Sequence, residues 1–236
     1  MRSRSMPARN SRKTYIKNGY YHLYNRGVEK RTIFSDAQDY SVFLGYLNEY
    51  LSPKNETGLQ SQLSDESLTW SEKDKILRLL RLNNFSSKID LLAYSLMPNH
   101  LHLLIKQSEE NAIDSFFNSL MTRYVMFFNR KYKRVGPLFQ GVYKAVIVET
   151  EGQLLHLSRY IHRNPLTLTN NPFEHQRSYT SLPEYLGERK TDWVKQNDVT
   201  NTFLPGIRGR RSYSDFVNQV DNLELIIPLL IEDLGL

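Results

Sequence analysis

The sequence contains no cysteine among its 236 residues. Disulfide scaffolds, zinc–thiolate sites, iron–sulfur clusters and cysteine nucleophiles are therefore excluded. Any metal must be held by histidine, carboxylate or amide groups. Long apolar runs are also missing, and none approaches the roughly 20 residues that a membrane-crossing helix needs. The first residues, MRSRSMPARNSRK, have no apolar stretch after their charges and do not read as a secretory signal. No Walker-type glycine loop is present, so no nucleotide cofactor is expected. Acidic residues are scarce in two blocks. Residues 1–31 carry nine Lys/Arg against one acid, which leaves −2 of the overall +6 for the other 205 residues. Residues 121–144 carry Arg123, Arg130, Lys131, Lys133, Arg134 and Lys144 with no acid. The last 25 residues reverse this, with five acids and no Lys/Arg. Basic blocks rich in Tyr and Phe point to a polyanion, nucleic acid first. The plainer alternative is a solvated face and a basic tail.

The hydrophobic patterning predicts one α+β domain. Residues 1–14 have no apolar periodicity and read as a flexible basic arm that includes Arg2, Arg4, Arg9, Arg12 and Lys13. Residues 20–25 read as an aromatic first strand, and Ser35-Asp36 as the cap of a helix running to about Leu51. The polar stretch 53–72 reads as a loop, and a short helix around Ile76–Leu80 follows; together 53–87 is an insertion. Ile89–Leu96, Met97-Pro98-Asn99 and His100–Lys106 form a hairpin pattern. Ala112 to about Tyr132 is a long helix, Val142–Val148 a strand and Gln153–Asn164 a helix ended by Pro165. Phe216–Leu234 is predicted as one helix despite Pro228. The order suggests a ferredoxin-like antiparallel sheet with helices on one face. The boundaries are 1–14 for the arm, 15–190 for the domain and 191–236 for a C-terminal extension.

Two patterns carry chemistry. In an extended segment, residues i and i+2 share a face, so His100 and His102 point together while Leu101 and Leu103 point into the core. Imidazoles at that spacing can converge on a divalent ion, or they are simply two half-exposed histidines of a strand. In the helix 153–164, Leu154, Leu157 and Ile161 form an apolar stripe. His156, Tyr160 and Asn164 form a second stripe at i, i+4 and i+8. A phenol oxygen can act as a nucleophile and an amide oxygen can ligate a hard cation. The alternative is a polar helix edge with a half-buried tyrosine. Two imidazoles and one amide leave coordination positions open, which suits Mg²⁺ or Mn²⁺ holding substrate oxygens rather than a closed zinc site. Tyr124, flanked by Arg123, is the rival nucleophile. Its i+5 spacing to Asn129 does not stack, and Phe127 and Phe128 suggest core packing.

The segments MPNHLHLLI (97–105), GPLFQGVYKA (136–145) and LSRYIHRNPL (157–166) resemble the signatures of the HUH single-tyrosine transposases, in particular the REP-associated tyrosine transposases. YYHLYNRG (20–27) and RSYTSLPEYLG (177–187) agree, so the resemblance spans residues 15–190 in order. Departures are Arg163 before the asparagine, the insertion at 53–87 and Pro-Leu-Thr-Leu-Thr after the catalytic helix. The resemblance implies Tyr160 as nucleophile, His100, His102 and Asn164 as ligands of Mg²⁺ or Mn²⁺, and a 5′-phosphotyrosine intermediate on single-stranded or hairpin DNA. It also implies sequence-specific DNA binding, a homodimer, and a cytoplasmic, nucleoid-associated bacterial protein with no membrane partner. DNA contacts are expected from Arg123, Arg130, Lys131, Lys133, Arg134, Lys144, Arg159 and Arg163. Tyr132, Phe139 and Tyr143 could stack on bases or belong to the core. Two alternatives remain: a catalytically silent nucleic-acid-binding protein, and a metal-dependent phosphodiesterase that uses water.

Overall fold

The computed structural model describes residues 15–164, 179–202, 210–219 and 223–230. The expected basic arm of residues 1–14 and the Pro-Leu-Thr-Leu-Thr stretch at 165–169 lie outside them. Four strands form one antiparallel sheet: β1 (Tyr20–Arg26), β2 (Ile89–Met97), β3 (His100–Gln107) and β4 (Lys144–Val148). Their spatial order is β2-β3-β1-β4, the ferredoxin-like arrangement anticipated from the element order. Helix α1 (Ala37–Leu51) connects β1 to β2, and α4 (Ala112–Lys131) connects β3 to β4. Asp36 caps α1 as its pattern foretold, its carboxylate accepting from Asp39 N at 3.1 Å.

Helices cover both faces of the sheet, whereas the pattern predicts one. Phe43 and Leu47 of α1 and Phe116, Phe117 and Leu120 of α4 share a core with Leu101, Leu103 and Ile105 of β3. On the opposite face, Leu154, Leu157 and Ile161 of α5 (Glu151–Arg163) pack with Leu92 and Leu104. Strands whose side chains are apolar on both sides need two covers, and α5 supplies the second. Thr150 starts that helix, its hydroxyl accepting from Gln153 N at 3.1 Å.

The insertion holds two helices, α2 (Glu56–Leu63) and α3 (Trp70–Arg81), where a loop is predicted over 53–72. Helix α2 buries no residue, so no apolar stripe marks it. The start of α3 is written as a capping box, Thr69 and Glu72 exchanging bonds of 2.8 Å and 3.3 Å. The edge of β2 is covered by residues 180–194, through bridges from Ser95 to Thr180 and from Leu91 to Val194. Helix α6 (Leu182–Leu186) belongs to this cover, and α7 (Asn197–Thr200) follows it in the chain.

The single helix predicted at Phe216–Leu234 is instead two described helices, α8 (Arg210–Asn218) and α9 (Ile227–Leu230), with a 3-10 turn at Leu223–Leu225 between them. Pro228 lies in the first turn of α9, where its missing N–H is tolerated. Among the described residues, no helix is long and apolar enough to cross a membrane.

Candidate active site

β3 lies between β2 and β1, so both of its histidines sit in the middle of the sheet. His102 is opposite Tyr24 and Ser95, and His100 opposite Arg26 and Met97. The turn before them is braced by the loop after β1: Gly27 N donates to Asn99 O at 2.8 Å, and Ile33 N to Pro98 O at 2.7 Å. Strand alternation puts His100, His102 and Leu104 on the face that α5 covers, as the sequence requires. The two imidazoles stand edge to face with ring centroids 5.0 Å apart.

Tyr160 comes to the same place from α5. Its ring meets that of His102 edge-on, 5.7 Å between centroids. The apolar stripe of the helix faces the sheet, so Tyr160, one residue before Ile161, sits half-buried at the rim of that contact. Asn164 caps the helix a turn later, its backbone N–H donating to Tyr160 O. Asn164 thus follows Tyr160 by one turn of the same helix.

The histidines suit a cation in their chemistry. His102 is fully buried. Burial, then the charges of His100, His22 and Arg26, hold its imidazole well below the ordinary 6.5, so it stays neutral as a ligand must. Among the described residues no three of His, Asp or Glu converge as a cation site. A cation there would be held by two imidazoles and a neutral amide.

Tyr124 lies elsewhere. It is buried in the core of the α1/α4 face, and its hydroxyl donates to Ile33 O at 2.5 Å. Burial raises its pKa far above that of an ordinary phenol, so it has neither the access nor the acidity to present an attacking phenolate. Phe139 and Tyr143 are buried as well, with Tyr143 bound to Asp114 and Tyr15. Their core reading is the one realised. Tyr132 donates to Asp39 at 2.8 Å.

The basic residues separate into two groups. Arg130 and Lys133 are exposed and Lys144 is half-buried. Others are engaged within the protein. Arg123 pairs with Glu49 at 2.5 Å and lies 3.8 Å over Tyr46. Lys131 pairs with Asp36 and Asp39, both at 2.7 Å. Arg134 donates to Asn129 Oδ1 at 2.9 Å. Arg163 donates to Gln219 O at 2.5 Å. Arg159 is only 2% exposed; it donates to His156 Nδ1 at 3.0 Å and lies over Phe216.

Three contacts around the site are visible only in the structure. His22 of β1 lies 2.9 Å from His102 through their ring nitrogens. Asn99 contacts His100 at 2.6 Å. His162 binds Tyr213 of α8 at 2.6 Å and Ser181 at 2.7 Å. Only the first had a local signal, a histidine alternating with aromatics on a strand. The others depend on partners distant in the chain or on turn geometry.

The family described as "Transposase IS200 like" matches residues 65–164, a narrower span than the 15–190 of the motif resemblance. No curated protein matches the chain. A solved structure of a REP-associated tyrosine transposase bound to a REP hairpin is 14% identical, with 84% of this chain and 96% of that one covered at a TM-score of 0.48. A second, described as a transposase from Deinococcus radiodurans R1, is 17% identical, with 64% and 94% covered at 0.27. Residues 65–164, the segment that holds His100, His102, Tyr160 and Asn164, are thus similar to the family described as "Transposase IS200 like".

Proposed function

We propose that this chain cleaves and rejoins single-stranded or hairpin DNA by transesterification at Tyr160, as a sequence-specific transposase. The observation that carries this is the meeting of the Tyr160 ring with His102, beside His100, on the α5 face of the sheet. In the step, the Tyr160 oxygen forms a bond to phosphorus. The phosphorus–O3′ bond breaks, and its electron pair leaves on the 3′ oxygen. The phenol proton is given up, and the 3′ oxygen takes one to become a hydroxyl. The 5′-phosphotyrosine conserves the ester bond, so rejoining needs no nucleotide. A phenol ionises near 10 in water, so a positive environment is required to favour attack at neutral pH. His100, His102 and Asn164 would hold Mg²⁺ or Mn²⁺ here, and the ion would supply Lewis acidity at the scissile phosphate.

Arg130 and Lys133, both exposed, would contribute phosphate contacts, and the half-buried Lys144 at the start of β4 would add a further charge. Arg123, Lys131, Arg134 and Arg163 would reach DNA only by giving up the partners they hold. Arg159 would act on α5 from within. One tyrosine makes one cut, so exchange of two ends calls for two sites, and a homodimer is the simplest supply. The substrate places the protein with the bacterial nucleoid.

Incubation of the protein with labelled single-stranded hairpin DNA tests this. A covalent protein–DNA band that requires Mg²⁺ or Mn²⁺ and is lost in Tyr160→Phe is the expected result. Cleavage that survives Tyr160→Phe would mean attack by water, and binding without cleavage would mean a silent DNA-binding protein.

A further inference from the structure

The structure assigns a role to two residues outside the ligand set: His22 and Asn99 set both site histidines in one tautomer, with the proton on Nδ1 and the lone pair on Nε2. The inference rests on the divalent-cation reading of His100 and His102. It concerns which nitrogen each presents and what holds it there.

The direction of each hydrogen bond follows from an atom that can only accept. Leu229 O, on α9, lies 3.1 Å from His22 Nδ1. A carbonyl accepts, so His22 carries its proton on Nδ1. An imidazole with that one ring proton offers a lone pair on Nε2. That atom lies 2.9 Å from His102 Nδ1, so His102 donates from Nδ1 and keeps its lone pair on Nε2. The rings lie nearly parallel, 15° between planes with centroids 5.2 Å apart, and both are fully buried. The chain Leu229 O, His22, His102 thus runs in one direction from the C-terminal extension to the site.

The second histidine reaches the same state by a separate route. Asn99 Nδ2 donates to Lys30 O at 3.3 Å, which orients the amide so that Oδ1 faces His100. Oδ1 lies 2.6 Å from His100 Nδ1. An amide oxygen accepts, so His100 also carries its proton on Nδ1. Two residues from different elements, one on β1 and one in the β2–β3 turn, therefore impose the same tautomer on neighbouring rings. Orienting partners of this kind raise ligand basicity, and their loss typically lowers metal affinity 10–100-fold. His22 and Asn99 are positioning residues; neither touches substrate. The extension beyond the domain is then part of the site, since Leu229 starts the relay.

Long-range ¹⁵N–¹H correlation spectra of the metal-free, ¹⁵N-labelled full chain read the tautomers directly. Single variants at His22, His100 and His102 assign the signals. All three histidines protonated on Nδ1 is the expected result. Either His100 or His102 protonated on Nε2 overturns the inference, whatever the protein does with metal. Mn²⁺ binding followed by water-proton relaxation gives a second measure. His22→Phe should weaken it 10–100-fold. His22→Gln, whose amide oxygen can occupy the place of Nε2, should recover most of the loss. A folded His22→Phe that binds Mn²⁺ as wild type does, or a His22→Gln no better than His22→Phe, also overturns it. Wild-type protein that binds no Mn²⁺ would sink the cation reading, while the tautomers would still decide the relay.

Discussion

Tyr213→Phe removes one oxygen atom from a buried relay that joins α8 to α5. Its cost can be worked out from bond directions. Tyr94 N donates to Ser181 Oγ at 2.8 Å, and Ser181 Oγ lies 2.7 Å from His162 Nε2. His162 Nδ1 lies 2.6 Å from Tyr213 Oη, which donates to Ser158 Oγ at 3.1 Å. Ser158 Oγ in turn donates to Leu155 O at 2.7 Å. Every donor finds an acceptor if His162 is neutral with its proton on Nδ1, and burial does push that imidazole down to about 3. The phenylalanine ring keeps its contacts with Tyr185 and His162, so packing is little changed. What is lost is the acceptor for His162 Nδ1–H inside the protein. An unsatisfied buried donor of this kind costs about 1–3 kcal/mol. For a chain of this size that lowers the melting temperature by roughly 2–4 °C per kcal/mol. Urea unfolding followed by circular dichroism measures the free energy directly. A loss below about 0.5 kcal/mol with an unchanged denaturant slope would refute the reasoning. A double variant with Ser181→Ala should lose less than the two singles together, because both act on one imidazole.

Three other outcomes follow from the same structure. Tyr124→Phe should still form the covalent DNA adduct that Tyr160→Phe cannot, while losing about 1–2 kcal/mol of stability because Ile33 O loses its buried donor; an adduct missing in a folded Tyr124→Phe would move the nucleophile. Gly27→Ala would place a methyl 2.2 Å from Arg31 O and 2.9 Å from Ile33 Cγ2, so the loop that braces Asn99 must shift. Thermal melts should show a loss of about 1–3 kcal/mol, and an unchanged melt would contradict the packing. At high pH, Tyr40 is pushed up to about 12 by burial, and Tyr185 and Tyr213 are pushed further. Their unfolded forms ionise near 10, so above that pH the unfolded state binds fewer protons and stability falls by about 1.4 kcal/mol per pH unit for each such phenol. Part of the phenolate absorbance should therefore appear only together with the loss of circular dichroism. Ionisation of all 15 tyrosines with the fold intact would contradict the burial of these rings.

Much of the site was legible because its key spacings are local. His-Leu-His on a strand must put both imidazoles on one face, and Tyr160 and Asn164 must stack if their segment is helical. The pairing of sheet strands followed from the order of elements. Capping chemistry marks the starts of α1 and α3. Helix α2 was illegible because it buries nothing. The break between α8 and α9 was missed because a single apolar pattern ran across both.

By itself, then, the sequence determined the four strands, the helices that carry an apolar stripe, their order, and which side chains share a face, since these depend on bond geometry and on period. Only the tertiary structure decided which cations remain exposed and which are bound within the protein, because charge along a chain carries no record of partners. Tertiary packing also took Tyr124 into the core and gave α5 the second face of the sheet. It alone brought Leu229, His22 and His102 into one line: 207 positions separate the first two and 80 the second pair, and no local rule relates atoms so far apart until the sheet and the C-terminal helices have packed.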